Sequence, residues 1–315
     1  MKKYTRLKLS KLCVIKIILF ISINLFATAI LANANSIPES RNIRIVVTIK
    51  PLYNLVMAMV QGISTTNRPV LLLHGNVSPH DYNLKMSDIK LVAQADLIVW
   101  GGDQLEFFLT KLLKQQKFAD KLLTVQDLRN LNNLTFRNKK YLDEHIWLSP
   151  KNAIVIVRSI EQTLAKLDPV NAKKYATNRK NFVIKLQGID SGIRLKLKLL
   201  SHRNYLVFHD AYQYFEKFYG LQAPIVITDN PAIPLSIQRM LVIHDLINNQ
   251  GIKCVFKEPQ FSSKVLDYLL KSKDLNAQLK VGILDPLGSD QDLGADGYFK
   301  LINNLAESFS SCFKD

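Results

Sequence analysis

The sequence has no long uninterrupted basic run, no His-Glu-x-x-His stretch, and no wider glycine pattern around its one Gly-Gly pair. Its excess of 42 Lys and Arg over 26 Asp and Glu is spread along lysine-rich helices, which indicates a solvated surface and argues against nucleic-acid binding. Docking on an acidic membrane-protein surface stays an alternative. The missing histidine motif argues against a zinc hydrolase, and Gly101-Gly102 is interpreted as a turn rather than a nucleotide loop.

Acidic residues are absent from the first 34 positions, which hold six Lys and Arg, an apolar run at Ile17–Leu31 and the small-residue site Ala32-Asn33-Ala34. This order predicts a secretory signal peptide over residues 1–34, and therefore a periplasmic protein without stable membrane insertion after cleavage. An uncleaved anchor is the alternative, because the apolar run is only slightly shorter than a spanning helix. Cys13 precedes the apolar run, so it does not fit a lipid-attached cysteine.

Cysteine is scarce as well. The chain has three, and cleavage after Ala34 would leave two, Cys254 and Cys312. In an exported protein such a pair favours a disulfide. By limiting the conformational freedom of the unfolded chain, it would stabilise the folded protein by roughly 4 kcal/mol. A metal-bound pair is the less favoured alternative. Removing the first 34 residues, which carry six positive charges, lowers the formal charge from +16 to +10. The remaining 281 residues are enough for one large or two medium lobes.

Apolar runs alternate with helical periodicity along the first half of the remaining chain. The predicted strands are Ile43–Ile49, Val70–Leu73 and Leu97–Trp100, and the predicted helices are Leu52–Val60, Ser87–Ala95 with Ser87 as its cap, Gln104–Leu113 and Pro150–Leu167. Such alternation predicts a parallel sheet covered on both faces, here an N-terminal α/β lobe over residues 35–167. The polar and basic stretch Leu131–Tyr141 is expected to be a surface loop.

A long helix and a second lobe follow. Asp168-Pro169 predicts the start of a helix that links the lobes over residues 168–201, although Gly188 and Gly192 would weaken it. The C-terminal α/β lobe is predicted over residues 202–315. Its expected strands are Tyr205–Phe208, Ile225–Ile227, Cys254–Phe256 and Val281–Leu284, and its expected helices are Tyr212–Phe218, Ile237–Asn248, Ser263–Leu270 and Gly297–Phe313.

Four residues at element ends are candidate metal ligands. His80, His209 and Asp285 lie in loops that leave predicted strands, where ligands of such sheets bind, and His145 stands between two acids and an apolar Ile-Trp-Leu run. Three imidazoles and one carboxylate suit zinc, whereas manganese would favour more oxygen ligands. Their spacing alone does not show that they meet. The other histidines are interpreted as structural or surface residues: His74, His202 and His244.

Five ordered phrases of the sequence carry a resemblance to a known family. They are Ser78-Pro79-His80-Asp81-Tyr82, His145-Ile146-Trp147-Leu148-Ser149-Pro150, His209-Asp210-Ala211-Tyr212 with Tyr214-Phe215-Glu216, Phe256-Lys257-Glu258-Pro259-Gln260-Phe261, and Leu284-Asp285-Pro286-Leu287-Gly288. Together they span most of the mature chain. The sequence resembles the metal-specific solute-binding proteins, and among them the periplasmic zinc-binding components of high-affinity zinc ABC importers.

The resemblance implies two α/β lobes joined by one long helix, with the metal in the crevice between them. It implies that His80, His145 and His209 are ligands and that Asp285 or water completes the site, and it also matches Cys254 and Cys312 to a disulfide. Two features depart from the family. The stretch before His145 lacks the histidine-rich loop of many members, and Pro79 replaces the acid that some members have before the first histidine.

The function expected on these grounds is capture of Zn²⁺ outside the inner membrane and its delivery to a zinc ABC permease. We expect a monomer without enzymatic activity. The alternatives are a manganese or iron importer component, a surface adhesin, and a zinc hydrolase, which also uses three histidines with an open fourth position.

Overall fold

Two four-stranded parallel sheets form the frame of the protein in the computed structural model, which describes residues 42–63, 69–137, 139–228, 231, 233–261 and 279–314. The predicted α/β fold with two parallel sheets is therefore confirmed. The predicted signal peptide, residues 1–34, and the predicted helix Ser263–Leu270 lie outside the described residues. Among those that are described, no helix is both long enough and apolar enough to cross a membrane.

The first sheet has the strand order β2-β1-β3-β4, and all its strand pairs are parallel. Its strands are β1 Ile45–Val47, β2 Val70–Leu71, β3 Leu97–Trp100 and β4 Leu122–Thr124. The strands β1 and β3 are buried along their whole length, which explains their continuous apolar sequences. The short edge strand β4 was not predicted from the sequence, because only its middle residue is buried.

Four helices belong to the first half: α1 Lys50–Met59, α2 Met86–Gln94, α3 Phe107–Leu113 and α4 Pro150–Leu167. The prediction that Ser87 caps α2 is wrong. That helix begins one residue earlier, with Lys85 as its N-cap, and the Asp88 carboxylate accepts a hydrogen bond from the Lys85 N–H at 2.9 Å. Helix α4 has the expected start, because the Ser149 hydroxyl accepts the Asn152 N–H and Pro150 occupies the first turn.

The long helix α5 runs from Ala172 to Lys198, and its 27 residues span about 40 Å at 1.5 Å per residue. It starts later than predicted. Residues Pro169–Asn171 form a 3-10 turn, and the buried Asp168 carboxylate accepts hydrogen bonds from Asn171 and Tyr175 instead of capping α5. Helix α5 packs against α4 on one side and against the last helix of the chain on the other.

The second sheet has the order β6-β5-β7-β8 and is also parallel throughout. Its strands are β5 Tyr205–His209, β6 Ile225–Thr228, β7 Cys254–Lys257 and β8 Lys280–Ile283, and its described helices are α6 Gln213–Tyr219, α7 Ile237–Asn249 and α8 Gly297–Cys312. A disulfide joins Cys254 of β7 to Cys312 at the end of α8, with 5.9 Å between their Cα atoms. The predicted pairing of these cysteines is confirmed.

One continuous apolar core extends from the first sheet, through α4, α5 and α8, to the second sheet. A smaller cluster lies on the other face of the second sheet. The prediction that Leu131–Tyr141 is a surface loop is partly wrong, because Phe136 is buried and Arg137 is largely covered. The predicted domain boundaries after residues 167 and 201 fall near the ends of α4 and α5, and the division itself stays a prediction.

Candidate metal centre

Three histidines that are far apart in the sequence meet between the two sheets. The ring centroids of His80 and His145 are 5.7 Å apart, those of His80 and His209 are 5.1 Å apart, and those of His145 and His209 are 4.9 Å apart. One ring nitrogen from each histidine lies within 4.8 Å of the other two. This spacing allows the three side chains to hold one metal ion.

Each histidine is placed by its local sequence. His80 lies in the 3-10 turn Pro79–Asp81, where the Ser78 hydroxyl accepts the His80 N–H at 3.2 Å. His145 precedes the turn Ile146–Leu148, and the Asp143 carboxylate accepts its N–H at 3.0 Å. His209 is the last residue of β5, at the carboxyl end of a central strand. The histidines therefore occupy the strand ends and loops where ligands of parallel sheets bind.

A carboxylate lies beside the Nδ1 atom of each histidine. Asp143 is 2.9 Å from Nδ1 of His145, while Glu258 is 3.4 Å from Nδ1 of His209. Glu144 is 3.7 Å from Nδ1 of His80. In metal sites, a carboxylate on one ring nitrogen fixes the tautomer that leaves the other nitrogen free for the ion. Only the Asp143–His145 contact is of hydrogen-bond length, and it leaves Nε2 of His145 available. Glu258 and Glu144 lie on the Nδ1 side of the other two rings.

Sequence reasoning missed these three carboxylates as partners of the ligands. The two acids directly before His145 are evident in the sequence, but their role as histidine partners was not predicted. Glu258 follows β7 and reaches His209 only through the pairing of β5 with β7. Oε1 of Glu258 and Nδ1 of His209 are both buried without a hydrogen-bond partner among the described residues, and they face each other at 3.4 Å.

The surroundings shift the histidine pKa values in opposite directions. Burial lowers the pKa of His80 well below its ordinary value, and the neighbouring His209 and His145 lower it further. Burial alone would lower the pKa of His145 as well. The hydrogen bond and charge of Asp143, together with the charges of Glu144 and Glu258, outweigh burial, and the pKa of His145 is raised. His80 is therefore neutral and ready to bind a metal at neutral pH, whereas His145 competes more strongly for a proton.

Apolar side chains line one side of the site. Trp147, Phe261, Pro286 and Leu287 line the cavity beside the histidines. The Trp147 indole donates a hydrogen bond to the Pro286 carbonyl at 2.8 Å, which fixes this wall across the crevice. Tyr212 is fully buried and donates to the Leu284 carbonyl, so it packs behind the site.

Asp285 does not join the histidine group in this arrangement. Its carboxylate accepts hydrogen bonds from the Gln260 amide at 2.7 Å and from the N–H groups of Leu287 and Ser289. The assignment of Asp285 as a ligand therefore stays a prediction. Outside the group, His74 and His202 are exposed and His244 is half-buried on α7, where they were expected as structural or surface residues.

The fold and the site together define a class of protein. A periplasmic zinc-binding protein of Treponema pallidum, TroA, has the same fold, with a TM-score of 0.78 at 20% identity over 87% of this chain and 100% of that one. A crystal structure of ZnuA gives a TM-score of 0.71 at 26% identity, over 86% of this chain and 98% of the other. The chain is thus a two-lobe metal-site protein of this structural class.

The sequence model of the family described as zinc-uptake complex component A, periplasmic, matches residues 45–312, and the chain belongs to this family. The high-affinity zinc uptake system protein ZnuA of Brucella abortus is 32% identical over 310 aligned positions, which cover 85% of this chain and 91% of that protein. The corresponding protein of Haemophilus ducreyi is also 32% identical and covers 86% of this chain and 93% of its own length.

Proposed function

We propose that this protein captures Zn²⁺ in the periplasm and passes it to an inner-membrane ABC permease. The observation that carries the proposal is the cluster of three histidines, each with a carboxylate on the Nδ1 side of its ring. Membership of the zinc-uptake family supports the same conclusion. In this proposal Zn²⁺ is the cargo, and the chain acts as a monomeric carrier without catalytic activity, exported by a signal peptide over residues 1–34.

We assign the ligand role to Nε2 of His80, His145 and His209. Neutral imidazoles on a tetrahedral site favour zinc over manganese, which prefers more oxygen atoms. Asp285 would complete the site only by giving up hydrogen bonds to its own loop, so water competes with it for the fourth position. To bind His145, whose pKa is raised, zinc must compete with a proton.

Calorimetric titration of the metal-free exported protein with zinc and, separately, with manganese tests this proposal. We expect one tight zinc site per chain and much weaker manganese binding at neutral pH. Equal or tighter manganese binding would contradict the histidine-dominated site, and no tight binding of either ion would refute the metal assignment.

Replacement of His145 by alanine is the matched residue test. Loss of one of three nitrogen ligands should weaken zinc binding by at least about 100-fold. This exceeds the tenfold to 100-fold loss typical of changing a residue that only hydrogen-bonds to a ligand. Circular dichroism should show an intact fold. His202→Ala, an exposed histidine away from the cluster, is the control and should bind zinc like the wild type. Unchanged affinity in the His145 variant would remove this residue from the site.

A further inference from the structure

A charged bridge joins the loop before His145 to the turn after His209. Arg137 in this loop contacts the carboxylate of Asp210 through Nη1 and that of Glu216 through Nη2. Both acidic side chains are only 3% exposed, and that of Arg137 is 20% exposed. Within the part of the chain that the structure describes, Arg137 is the only lysine or arginine in ion-pair contact with either acid. The bridge therefore places one positive charge between two acids that water hardly reaches.

Neutral hydrogen bonds connect the same two segments beside the bridge. The Gln213 amide on α6 donates to the Thr135 carbonyl at 2.8 Å and to Oδ2 of Asp143 at 3.2 Å. The Tyr214 hydroxyl, also on α6, donates to the Asp143 carbonyl at 3.0 Å. Because Asp143 also holds Nδ1 of His145, helix α6 contacts the carboxylate that orients this ligand. The segments that carry the second and third histidines are thus fastened to each other.

The residue next to the bridge explains its importance for a bound metal. Asp210 follows His209 directly, so a guanidinium that fixes the Asp210 carboxylate also fixes the end of β5 from which the His209 ring projects. The His145 and His209 rings are the closest pair of the cluster, at 4.9 Å. His80 belongs to another loop, and the acid nearest to its ring, Glu144, is 3.7 Å from Nδ1.

We propose that Arg137 is a positioning residue whose two contacts hold the His209 turn against the His145 segment, so that zinc meets these two ligands already in place and leaves slowly. This inference rests on the proposed zinc function. The competing interpretation is that Arg137 only balances the charge of two buried acids. A planar guanidinium suits the positioning role, because it contacts both carboxylates in one fixed geometry.

The triple variant Arg137→Met/Asp210→Asn/Glu216→Gln separates the two interpretations, because it removes the bridge without leaving an uncompensated buried charge. We expect zinc to dissociate about 10-fold to 100-fold faster, the usual effect of changing residues that orient metal ligands. Stopped-flow competition with a chelator measures this rate, and thermal unfolding checks the fold. The matched control is Arg179→Met, which removes an arginine–glutamate pair between α4 and α5 and should release zinc at the wild-type rate.

A second variant, Arg137→Lys, keeps the charge but cannot span both acids, and should also release zinc several-fold faster. If the triple variant or the lysine variant releases zinc at the wild-type rate, Arg137 serves only to balance charge and the inference is wrong. In that outcome, tight zinc binding by the wild type leaves the proposed function standing. Absence of tight zinc binding in the wild type itself overturns the proposed function, and this inference with it.

Discussion

His80 and His145 differ in the charges around their rings, although both face the same cluster. The other two histidines add positive charge beside His80 whenever they are protonated, and burial already disfavours its charged form, so its pKa is lowered. Asp143, Glu144 and Glu258 favour the charged form of His145, and its pKa is raised despite complete burial. At neutral pH, protons therefore compete with zinc for His145 more strongly than for His80.

This difference predicts the pH dependence of zinc binding. A ligand whose pKa is raised takes up a proton at higher pH. As pH is lowered, zinc affinity should therefore begin to fall while the pH is still above the ordinary histidine pKa of about 6.5. The first loss should have a slope below three protons, because His80 stays neutral until lower pH. Competition titrations from pH 8 to pH 5 measure the slope.

Asp143→Asn provides the matched variant for this prediction. An amide cannot stabilise the charged imidazole as a carboxylate does, so the pKa of His145 should fall and the loss of affinity should start at lower pH. A slope of three protons from the outset would contradict the lowered pKa of His80. An unchanged starting pH in the variant would contradict the role of Asp143.

Glu106 predicts a separate effect on stability, away from the metal. This carboxyl group is fully buried in the turn after β3, where the Gly102 N–H donates to it, and burial raises its pKa to about 7. Between the unfolded value of about 4.5 and about 7, the folded state holds a proton that the unfolded state has lost. Stability therefore decreases as pH rises through this window.

Glu106→Gln should remove this contribution. The variant should be more stable than the wild type by about 2 to 3 kcal/mol at pH 8 and differ little at pH 5, as denaturant unfolding at the two pH values would show. The exposed Glu307→Gln on α8 controls for the loss of one negative charge. An equal difference at both pH values would mean that packing, not ionisation, decides the effect.

At the site, the sequence supported the residue types better than their partners. His80 and His209 could be predicted as candidate ligands, because apolar runs followed by polar loops locate the carboxyl edge of a parallel sheet. Glu258 and Arg137 could not. Glu258 reaches His209 across the pairing of β5 with β7, and the lysine-rich sequence around Arg137 is typical of exposed loops, whereas the side chain is paired with buried acids.

At the scale of elements, two glycines in helices predict opposite effects of the same substitution. Gly192 lies on the exposed side of α5, and a Cβ atom there would meet no heavy atom within 4 Å. Gly297 begins α8, and an added Cβ would lie 2.2 Å from Nδ2 of Asn54 on α1. Asn54 is 2% exposed and accepts the Gly294 N–H, so it has little freedom to move away.

Alanine at Gly192 should stabilise the protein by about 0.5 to 1 kcal/mol, through the better helix propensity of alanine. Alanine at Gly297 gains a similar propensity term but must displace Asn54, and overpacking of this kind costs about 1 to 3 kcal/mol. We therefore expect a net loss of stability for Gly297→Ala in denaturant unfolding. Stabilisation by both substitutions would show that α1 and α8 can separate at little cost.

The elements themselves followed closely from the sequence where burial is complete. Strands β1, β3 and β5 are continuous apolar runs because both faces of a parallel sheet are covered. Prediction failed where local polar contacts decide. Lys85 rather than Ser87 is the N-cap of α2, because the Asp88 carboxylate accepts the Lys85 N–H. The Asp168 carboxylate accepts hydrogen bonds from two side chains instead of capping α5.

At the scale of the whole molecule, one core connects the two sheets, while the proposed ligands come from both. His209 ends β5 of the second sheet, His80 lies in the turn after β2 of the first sheet, and His145 lies just before the turn that leads into α4. A zinc ion bound by all three would therefore link loops that are otherwise joined through the core, α5 and the crevice contacts. The unfolded chain cannot reproduce this arrangement, because the histidines are far apart in the sequence.

Binding of zinc should accordingly stabilise the folded protein. At a free zinc concentration 100 times the dissociation constant, the gain is about 2.7 kcal/mol, which corresponds to roughly 5 to 10 °C in the unfolding midpoint. Differential scanning calorimetry with zinc, and again after addition of a chelator, measures the shift and its reversal. His145→Ala should lose most of it. The same shift in this variant would place the stabilising zinc elsewhere, since a site that lacks one of three ligands cannot hold the ion as tightly.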